Sequence, residues 1–204
     1  MNIYYNFDNI EAGTDECARG VLFGRIYGAA VIYPKNGIDS PLQDLIMDSK
    51  KLSGKKRELL FEFIKNNVID YAISWVDAKT VDEKGIQYSN YKVFHDSLDK
   101  LKIRPNHILV DGNRFLDYEY DKEKIPHTCI VKGDSKYLSI ACASILAKVS
   151  HDRYIKDLVE KEKDLYKYDL LNNMGYGTKN HISAISKYGY SNYHRKSYKI
   201  KSLN

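Results

Sequence analysis

Cysteine pairs, zinc-ligand spacings and long apolar runs are all missing from this sequence. Its three cysteines lie far apart and form no CxxC or Cys/His pattern, which argues against a disulfide framework or a zinc site. It has no run of about 18 apolar residues and no basic segment followed by an apolar one at its start, so we expect neither a membrane span nor a secretory signal. We therefore expect a soluble protein of a reducing compartment, the cytoplasm.

Several catalytic signatures are missing as well. The glycine loops GxxxxGK[ST] and GxGxxG are absent, which argues against a nucleotide-binding enzyme or a small-molecule phosphohydrolase. No serine or cysteine nucleophile is indicated, and none of the six scattered histidines is predicted to be a catalytic base. Lys and Arg exceed Asp and Glu by 32 to 27, too small an excess to establish a nucleic-acid partner. Basic residues do concentrate at 50–57 and 195–201, and such patches fit phosphate backbones.

Strand patterns alternate with helix patterns along the 204 residues, which predicts one α/β domain with an antiparallel meander near its start. We expect a core over about residues 10–160 and a C-terminal helical part over about 161–198. Strands are predicted at Glu11–Asp15, Gly24–Tyr33, Tyr71–Val76, His107–Val110 and Thr128–Val131. Helices are predicted after Ser53-Gly54, over Asp82–Leu101, from Ser135 to about Glu160, and over His181–Lys187.

Acidic residues recur where these elements end or begin. Asp15-Glu16 and Asp111 follow apolar strands, and Asp134 stands near the start of the long helix. Clustered carboxylates repel one another and are usually neutralised by cations, and oxygen ligands suit Mg²⁺ or Mn²⁺. Two such ions about 3.5 to 4 Å apart can hold the attacking water and the leaving oxygen of a phosphodiester. The pattern therefore favours metal-assisted phosphoryl transfer to water, with a phosphodiester as the substrate group.

Each acid also has a simpler structural interpretation. Asp111 before Gly112 is typical of a turn or a helix cap. Asp134 near a helix start would also be favoured by the positive end of the helix dipole. The recurrence of the pattern favours a functional role, whereas each acid alone does not.

Seven motifs, in order and spacing, resemble those of the ribonuclease HII family. They are Gly13-Thr14-Asp15-Glu16-Cys17-Ala18-Arg19-Gly20, Asp48-Ser49-Lys50-Lys51-Leu52-Ser53, Val110-Asp111-Gly112, Lys132-Gly133-Asp134-Ser135-Lys136, the stretch 139–149 (SIACASILAKV), Gly175-Tyr176-Gly177-Thr178 and His194-Arg195-Lys196-Ser197. The resemblance runs from about Gly13 to Tyr198. It implies an RNase H-like fold, a central mixed five-stranded sheet flanked by helices, with a C-terminal helical part bordering the substrate groove.

The resemblance also implies an activity. The enzyme would hydrolyse the RNA strand of RNA-DNA hybrids and nick duplex DNA 5′ of an embedded ribonucleotide, using two Mg²⁺ or Mn²⁺ ions. Its products would carry 3′-hydroxyl and 5′-phosphate ends, and its roles would be ribonucleotide removal and RNA primer removal. The catalytic and metal-binding residues that the resemblance implies are Asp15, Glu16, Asp111 and Asp134.

The resemblance implies substrate contacts too. The family's Gly-Arg-Gly loop, which reads the ribose 2′-hydroxyl, corresponds to Ala18-Arg19-Gly20, and that hydroxyl distinguishes RNA from DNA. Tyr176 matches the tyrosine that packs on the sugar at the RNA-to-DNA junction, although an ordinary core tyrosine is the alternative. Candidate phosphate contacts are Ser49, Lys50, Lys136 and Arg195.

The sequence departs from the family pattern at three places. Cys17-Ala18 replaces the usual Ala-Gly, Val21 replaces a frequent proline, and Asn173-Met174 replaces the usual His-Lys. Because the acids are intact, these departures bear on substrate discrimination more than on catalysis. We therefore expect Ala18 to weaken or alter the preference for a single embedded ribonucleotide over longer hybrids.

Two alternatives remain at this point. A ribonuclease HIII shares the catalytic core but usually carries a preceding substrate-binding domain, and only twelve residues precede Gly13 here. A catalytically silent nucleic-acid-binding protein is the second alternative, disfavoured because four clustered acids are electrostatically costly without metal. We expect a monomer without a membrane partner, and the C-terminal tail shows no recognised clamp-binding motif. Neither the Mg²⁺ or Mn²⁺ preference nor protein partners follow from the sequence.

Overall fold

Strands and helices alternate along the chain in the computed structural model, which describes residues 1–200. The strands are β1 (Glu11–Cys17), β2 (Ile26–Ile32), β3 (Asp70–Val76), β4 (His107–Asp111), β5 (Tyr118–Tyr120), β6 (Glu123–Ile125) and β7 (His127–Ile130). The helices are α1 (Gly54–Asn67), α2 (Ala78–Lys84), α3 (Ile86–Asp99), α4 (Leu138–Lys161), α5 (Leu170–Asn173) and α6 (Lys179–Tyr188). The C-terminal tail, in which no clamp-binding motif is recognised, extends to residue 204, and residues 201–204 lie outside the described part.

Five strands form one mixed sheet in the order β3-β2-β1-β4-β7. β1, β2 and β3 pair antiparallel, while β4 runs parallel to both β1 and β7. The predicted antiparallel start and the mixed five-stranded sheet are therefore confirmed. Since β1, β4 and β7 are parallel, their carboxyl ends meet at one edge of the sheet.

Helix α4 packs against β1 and β2 on one face of the sheet, and its small residues allow a close approach. A Cβ on Gly13 of β1 would lie 2.5 Å from the backbone nitrogen of Ile140 and would also overlap the Ser139 hydroxyl. Ala141, Cys142 and most of their neighbours on this helix are buried, as the sequence pattern predicted. This contact places the first turn of α4 directly against β1.

Two features of the chain differ from the predictions. The single helix expected over Asp82–Leu101 is wrong, because Gly85 has a φ of +85° and separates α2 from α3. The β5-β6 hairpin was not expected; its turn residues Asp121 and Lys122 both have positive φ, and its strands are short and mostly exposed. Local patterns this short carry too little periodicity to predict either feature.

The C-terminal residues pack on the far half of α4. A second apolar core there joins Phe23, from the segment after β1, to Ile155 and Val159 of α4 and to Ile185 of α6. The segment that follows the acidic pair is therefore held against the C-terminal helices. Among residues 1–200, no helix combines the length and apolar character needed to cross a bilayer.

Candidate active site

The four predicted acids lie at one edge of the sheet. Thr14 of β1 pairs with Val110 of β4 in parallel register, so Asp15 and Asp111 come next on neighbouring strands. Asp134 follows β7 in a 3-10 turn whose first residue, Gly133, donates its backbone N–H to Asp111 Oδ1 at 2.7 Å. Strand order and register therefore bring together residues that lie up to 119 positions apart in the chain.

The pKa values of these acids respond to the clustering. Burial, together with the charges of Glu16 and Asp111, raises the pKa of Asp15 well above its usual range, and the Ser144 hydroxyl partly offsets the shift. Burial and the Asp111 charge also raise the pKa of Glu16, against the lowering effect of Arg19 and Lys50. The carboxylates are thus close enough for their charges to repel one another.

A fifth carboxylate, which the sequence analysis did not single out, joins the cluster. The pKa of Asp134 is raised by burial first and then by the charges of Asp111 and Asp48, while Lys50 lowers it. Asp48 precedes Lys50 and accepts its backbone N–H at 2.9 Å. The only available signal was the position of Asp48 within the Asp48–Ser53 motif.

Lys50 faces this cluster, as Arg19 does. Burial lowers its pKa, but the charges of Asp15 and Asp134 outweigh that effect, so its pKa is raised overall. Lys50 and Arg19 are fewer than the acids they face, which favours the binding of further cations among the carboxylates.

The donor set is made only of carboxylate oxygens, which suits hard divalent cations such as Mg²⁺ and Mn²⁺. Within residues 1–200, no three His, Cys, Asp or Glu side chains already stand together as the ligands of one ion. The acids therefore fit such a cation by their oxygen chemistry and by their position at one edge of the sheet.

The predicted substrate-binding residues divide into exposed and buried groups. Arg19, Gly20, Lys50 and Lys136 are exposed, and Tyr176 is 40% exposed. Three others are buried, namely Ala18, Ser49 and Arg195. The exposed group lies where a bound polynucleotide can reach it, whereas the buried group must act through other residues.

Two of the buried residues have clear structural partners. The Ser49 and Ser144 hydroxyls are 2.9 Å apart, which ties the Asp48–Ser53 motif to α4 beneath Asp15. Arg195 has no exposed surface and donates to the carbonyls of Gly24 at 3.0 Å and Arg19 at 2.9 Å. The prediction that Arg195 contacts a phosphate is therefore corrected, because its guanidinium faces the protein interior.

Ala18 has a φ of +68° and is 4% exposed. This left-handed conformation favours glycine, and an alanine there costs about 1 to 2 kcal/mol. The loop thus keeps a glycine-like backbone shape at an energetic cost, with Arg19 and Gly20 projecting to the surface.

A cleft beside the acids is lined by residues that the sequence analysis missed. Its lining includes Glu16, Arg19 and Asp111, together with Gln87, Asn90, Tyr91, Gly112, Asn113 and Arg114. Gln87, Asn90 and Tyr91 project from α3, whose amphipathic pattern carries no signal of a binding role. Arg114 could have been found from its position three residues after Asp111.

Comparisons with known proteins agree with this arrangement. Residues 12–201 match the family model described as Ribonuclease HII. A ribonuclease HII of Phocaeicola vulgatus is 43% identical over 197 residues, which cover 97% of this chain and 92% of that protein. The crystal structure of ribonuclease H2 from Pyrococcus horikoshii OT3 is similar with a TM-score of 0.75 and 25% identity, over 93% of each chain.

A more distant structure shares the fold. Bst-RNase HIII, crystallised in complex with Mn²⁺, is similar with a TM-score of 0.63 and 19% identity, over 87% of this chain and 69% of that one. The RNase H-like fold expected from the sequence is confirmed by these neighbours.

Proposed function

This chain belongs to the ribonuclease HII family and is a ribonuclease H, and we propose that it nicks duplex DNA 5′ of an embedded ribonucleotide as well as cutting RNA-DNA hybrids. The products would carry 3′-hydroxyl and 5′-phosphate ends. Its cellular roles would be removal of ribonucleotides from DNA and removal of RNA primers. The whole chain would act as one catalytic domain and as a monomer.

The observation that carries the proposal is the meeting of Asp15 and Asp111 at the ends of adjacent parallel strands, beside the exposed Arg19. With Glu16 and Asp134 they would hold two divalent cations, Mg²⁺ or Mn²⁺. When bound, such ions polarise a phosphate and lower the pKa of a water molecule. The Mn²⁺ complex of the distant Bst-RNase HIII supports divalent cations as the cofactor class.

The chain's own residues would select the substrate. Arg19 and Gly20 form an exposed loop directly after the acids, and a Cβ on Gly20 would meet no atom within 4 Å. A sugar can therefore approach the backbone amides there without a side chain between them. Tyr176, 40% exposed, offers a ring face to the neighbouring sugar. Lys50 and Lys136 would contact phosphates.

The test is incision of three matched duplexes that carry one ribonucleotide, four consecutive ribonucleotides or none, with Mg²⁺ or Mn²⁺. We expect cleavage of the first two alone, with the cut mapped to the 5′ side of the single ribonucleotide and product ends identified by mass. Asp111→Asn is expected to abolish both cuts. Binding of the duplexes without any cleavage would instead support the silent nucleic-acid-binding protein.

A further inference from the structure

Two adjacent buried residues in the C-terminal segment, His194 and Arg195, each reach a different predicted substrate-reading element. Arg195 Nη1 donates to the carbonyl of Arg19 at 2.9 Å. His194 Nε2 lies 3.0 Å from His181 Nε2, and His181 Nδ1 lies 2.9 Å from the carbonyl of Tyr176. One dipeptide is thus connected to both the Arg19 loop and Tyr176.

The arginine is held in an unusual way. It is fully buried, and within residues 1–200 it forms no salt bridge with a carboxylate. Its guanidinium donates to the carbonyls of Arg19 and Gly24 and to the Tyr198 hydroxyl, and within the same residues its Nη2 has no hydrogen-bond partner. A buried cation is expensive unless its hydrogen bonds are well placed. The Tyr198 hydroxyl donates to the same Arg19 carbonyl at 2.6 Å. Two donors thus fix the loop that contains the strained Ala18.

The two histidines form a directional chain of hydrogen bonds. The backbone N–H of Ser191 donates to His194 Nδ1 at 2.9 Å, so that nitrogen is an acceptor and the ring proton lies on Nε2. His194 Nε2–H then donates to His181 Nε2, which leaves the proton of His181 on Nδ1 to donate to the Tyr176 carbonyl. Both rings are neutral in this arrangement. This series of hydrogen bonds ends at the Tyr176 carbonyl and holds the backbone of Tyr176 in place.

Backbone hydrogen bonds join the Arg19 loop to the segment that contains Tyr176. The N–H of Arg195 donates to the carbonyl of Leu22 at 2.8 Å, and the N–H of Leu22 donates to the carbonyl of Gly175 at 2.8 Å. Gly175 directly precedes Tyr176, and a Cβ there would lie 2.7 Å from the Phe23 carbonyl. The loop after β1, the Tyr176 segment and the dipeptide therefore form one hydrogen-bonded unit.

We propose that His194 and Arg195 are positioning residues that set the distance between the Arg19 loop and Tyr176, so that one ribose is recognised at a defined place. Both are buried and neither touches the substrate. The inference rests on the proposed function, because it assigns substrate reading to Arg19 and Tyr176. Its consequence is specificity for a ribonucleotide flanked by DNA.

The consequence follows from the number of 2′-hydroxyls that the substrate offers. In a duplex with one ribonucleotide, the 2′-hydroxyl of that single sugar must contact the Arg19 loop while Tyr176 packs on the neighbouring sugar. In a continuous hybrid every sugar of the RNA strand carries a 2′-hydroxyl. An Arg19 loop that has shifted can therefore still contact the hydroxyl of a neighbouring sugar. Loosening the unit should therefore impair cleavage at a single ribonucleotide more than cleavage of the hybrid. A purely structural role would lower both activities equally, through a loss of folded protein.

The experiment measures kcat and KM on both substrates, with the melting temperature of each variant. Arg195→Lys keeps the charge but cannot span both carbonyls, and His181→Gln keeps the acceptor for His194 but loses the bond to Tyr176. We expect each to lower the ratio of kcat/KM for the single ribonucleotide to that for the hybrid by about tenfold. His181→Asn places an amide N–H near the Tyr176 carbonyl and should restore much of the ratio.

Tyr198→Phe extends the test if Arg195→Lys does not fold. It keeps the ring of a half-buried residue and removes the hydroxyl, which donates to the Arg19 carbonyl and accepts from Arg195 Nη1 at 3.3 Å, and we expect the ratio to fall about threefold. The matched control is His107→Gln at the opposite end of the sheet, where the histidine bonds to Thr128 at 2.9 Å. The control should leave the ratio unchanged.

An unchanged ratio in folded His181→Gln and Tyr198→Phe, or an equal fall on both substrates, overturns the positioning role while leaving the proposed function intact. If wild-type protein cleaves the hybrid but not the single-ribonucleotide duplex, the proposed nicking activity fails and the inference fails with it. The two failures are distinguished by the wild-type protein alone.

Discussion

Gly133 donates its backbone N–H to Asp111 Oδ1 at 2.7 Å, and this bond joins the turn that carries Asp134 to the end of β4. It fixes two of the predicted catalytic acids relative to each other before any cation binds. The bond needs only an oxygen acceptor, which an amide provides as well as a carboxylate. The charge of Asp111 and its structural role can therefore be separated by substitution.

Asp111→Asn should keep the fold and lose the activity. The amide oxygen can still accept from Gly133, while one charge that raises the pKa values of Asp15, Glu16 and Asp134 is removed. Without divalent cations, we expect a melting temperature equal to or above that of wild type. The stabilisation by Mg²⁺ or Mn²⁺ should shrink in thermal melts, and incision should disappear. Asp39→Asn, at an exposed acid, is the control; undiminished incision by Asp111→Asn would contradict the assignment.

Ala18→Gly should stabilise the protein. Glycine adopts the observed φ of +68° without the alanine penalty, and this gain exceeds its greater unfolded-state entropy, so the free energy of unfolding should rise by about 0.5 to 1 kcal/mol. Chemical denaturation measures it. The substitution should also shift the preference between one and several ribonucleotides. Equal preference ratios for wild type and variant would refute the role of Ala18 in discrimination.

Gly20→Ala provides the complementary measurement in the same loop. A Cβ there meets nothing within 4 Å, and the residue has no positive φ, so the unfolding free energy should change by less than about 0.5 kcal/mol. If a sugar packs against this backbone, the added methyl group should raise KM for ribonucleotide-containing duplexes. Unchanged KM and kcat would show that no substrate atom approaches Gly20 closely.

Gly13→Ala should destabilise the fold strongly. Its Cβ would lie 2.5 Å from the Ile140 backbone nitrogen, and a helix backbone cannot move aside as a flexible side chain can. We expect a loss of about 2 to 4 kcal/mol in the free energy of unfolding. Gly54→Ala, at the first residue of α1 where a Cβ meets nothing within 4 Å, is the matched control. A loss of similar size in both variants would contradict the packing argument.

The His181–His194 pair should make stability depend on pH. Burial lowers the pKa of His194 to about 3, with smaller contributions from His181 and Lys196, and burial also lowers the pKa of His181. As the pH falls below about 6.5, the unfolded state binds protons that the folded state excludes, so stability is lost. At pH 5 the loss from His194 should be about 2 kcal/mol.

Denaturation of wild type and His194→Gln at pH 7 and pH 5 measures this effect. The raised pKa values of Asp15, Glu16 and Asp134 act in the opposite direction, because the folded state binds protons more tightly there as the pH falls. These acids are present in both proteins, so their contributions cancel when the pH-dependent losses of stability of the two proteins are compared. The wild-type loss should exceed that of the variant, and equal losses would contradict a neutral buried His194.

The sequence by itself determined the strands of the main sheet and the family, and it predicted the chemistry of the site. Apolar runs ending in turns predicted the five strands of the main sheet, because alternation and turn residues are local properties. The recurring acids and the order of the seven motifs indicated the family, since each motif is read within a few residues. The prediction that no histidine is a catalytic base stays a prediction, and the two buried histidines described here bond to the protein.

Only the tertiary structure decided how distant residues are used. The sequence predicted that Arg195 contacts a phosphate. In the structure Arg195 packs against the Arg19 loop, 176 residues earlier in the chain, where it is buried and donates to the Arg19 carbonyl. The His181–His194 pair and the approach of Asp48 to Asp134 likewise depend on how α6, the C-terminal segment and the turns meet. Burial and hydrogen-bond partners are set by chain packing over long sequence separations, and no local pattern encodes them.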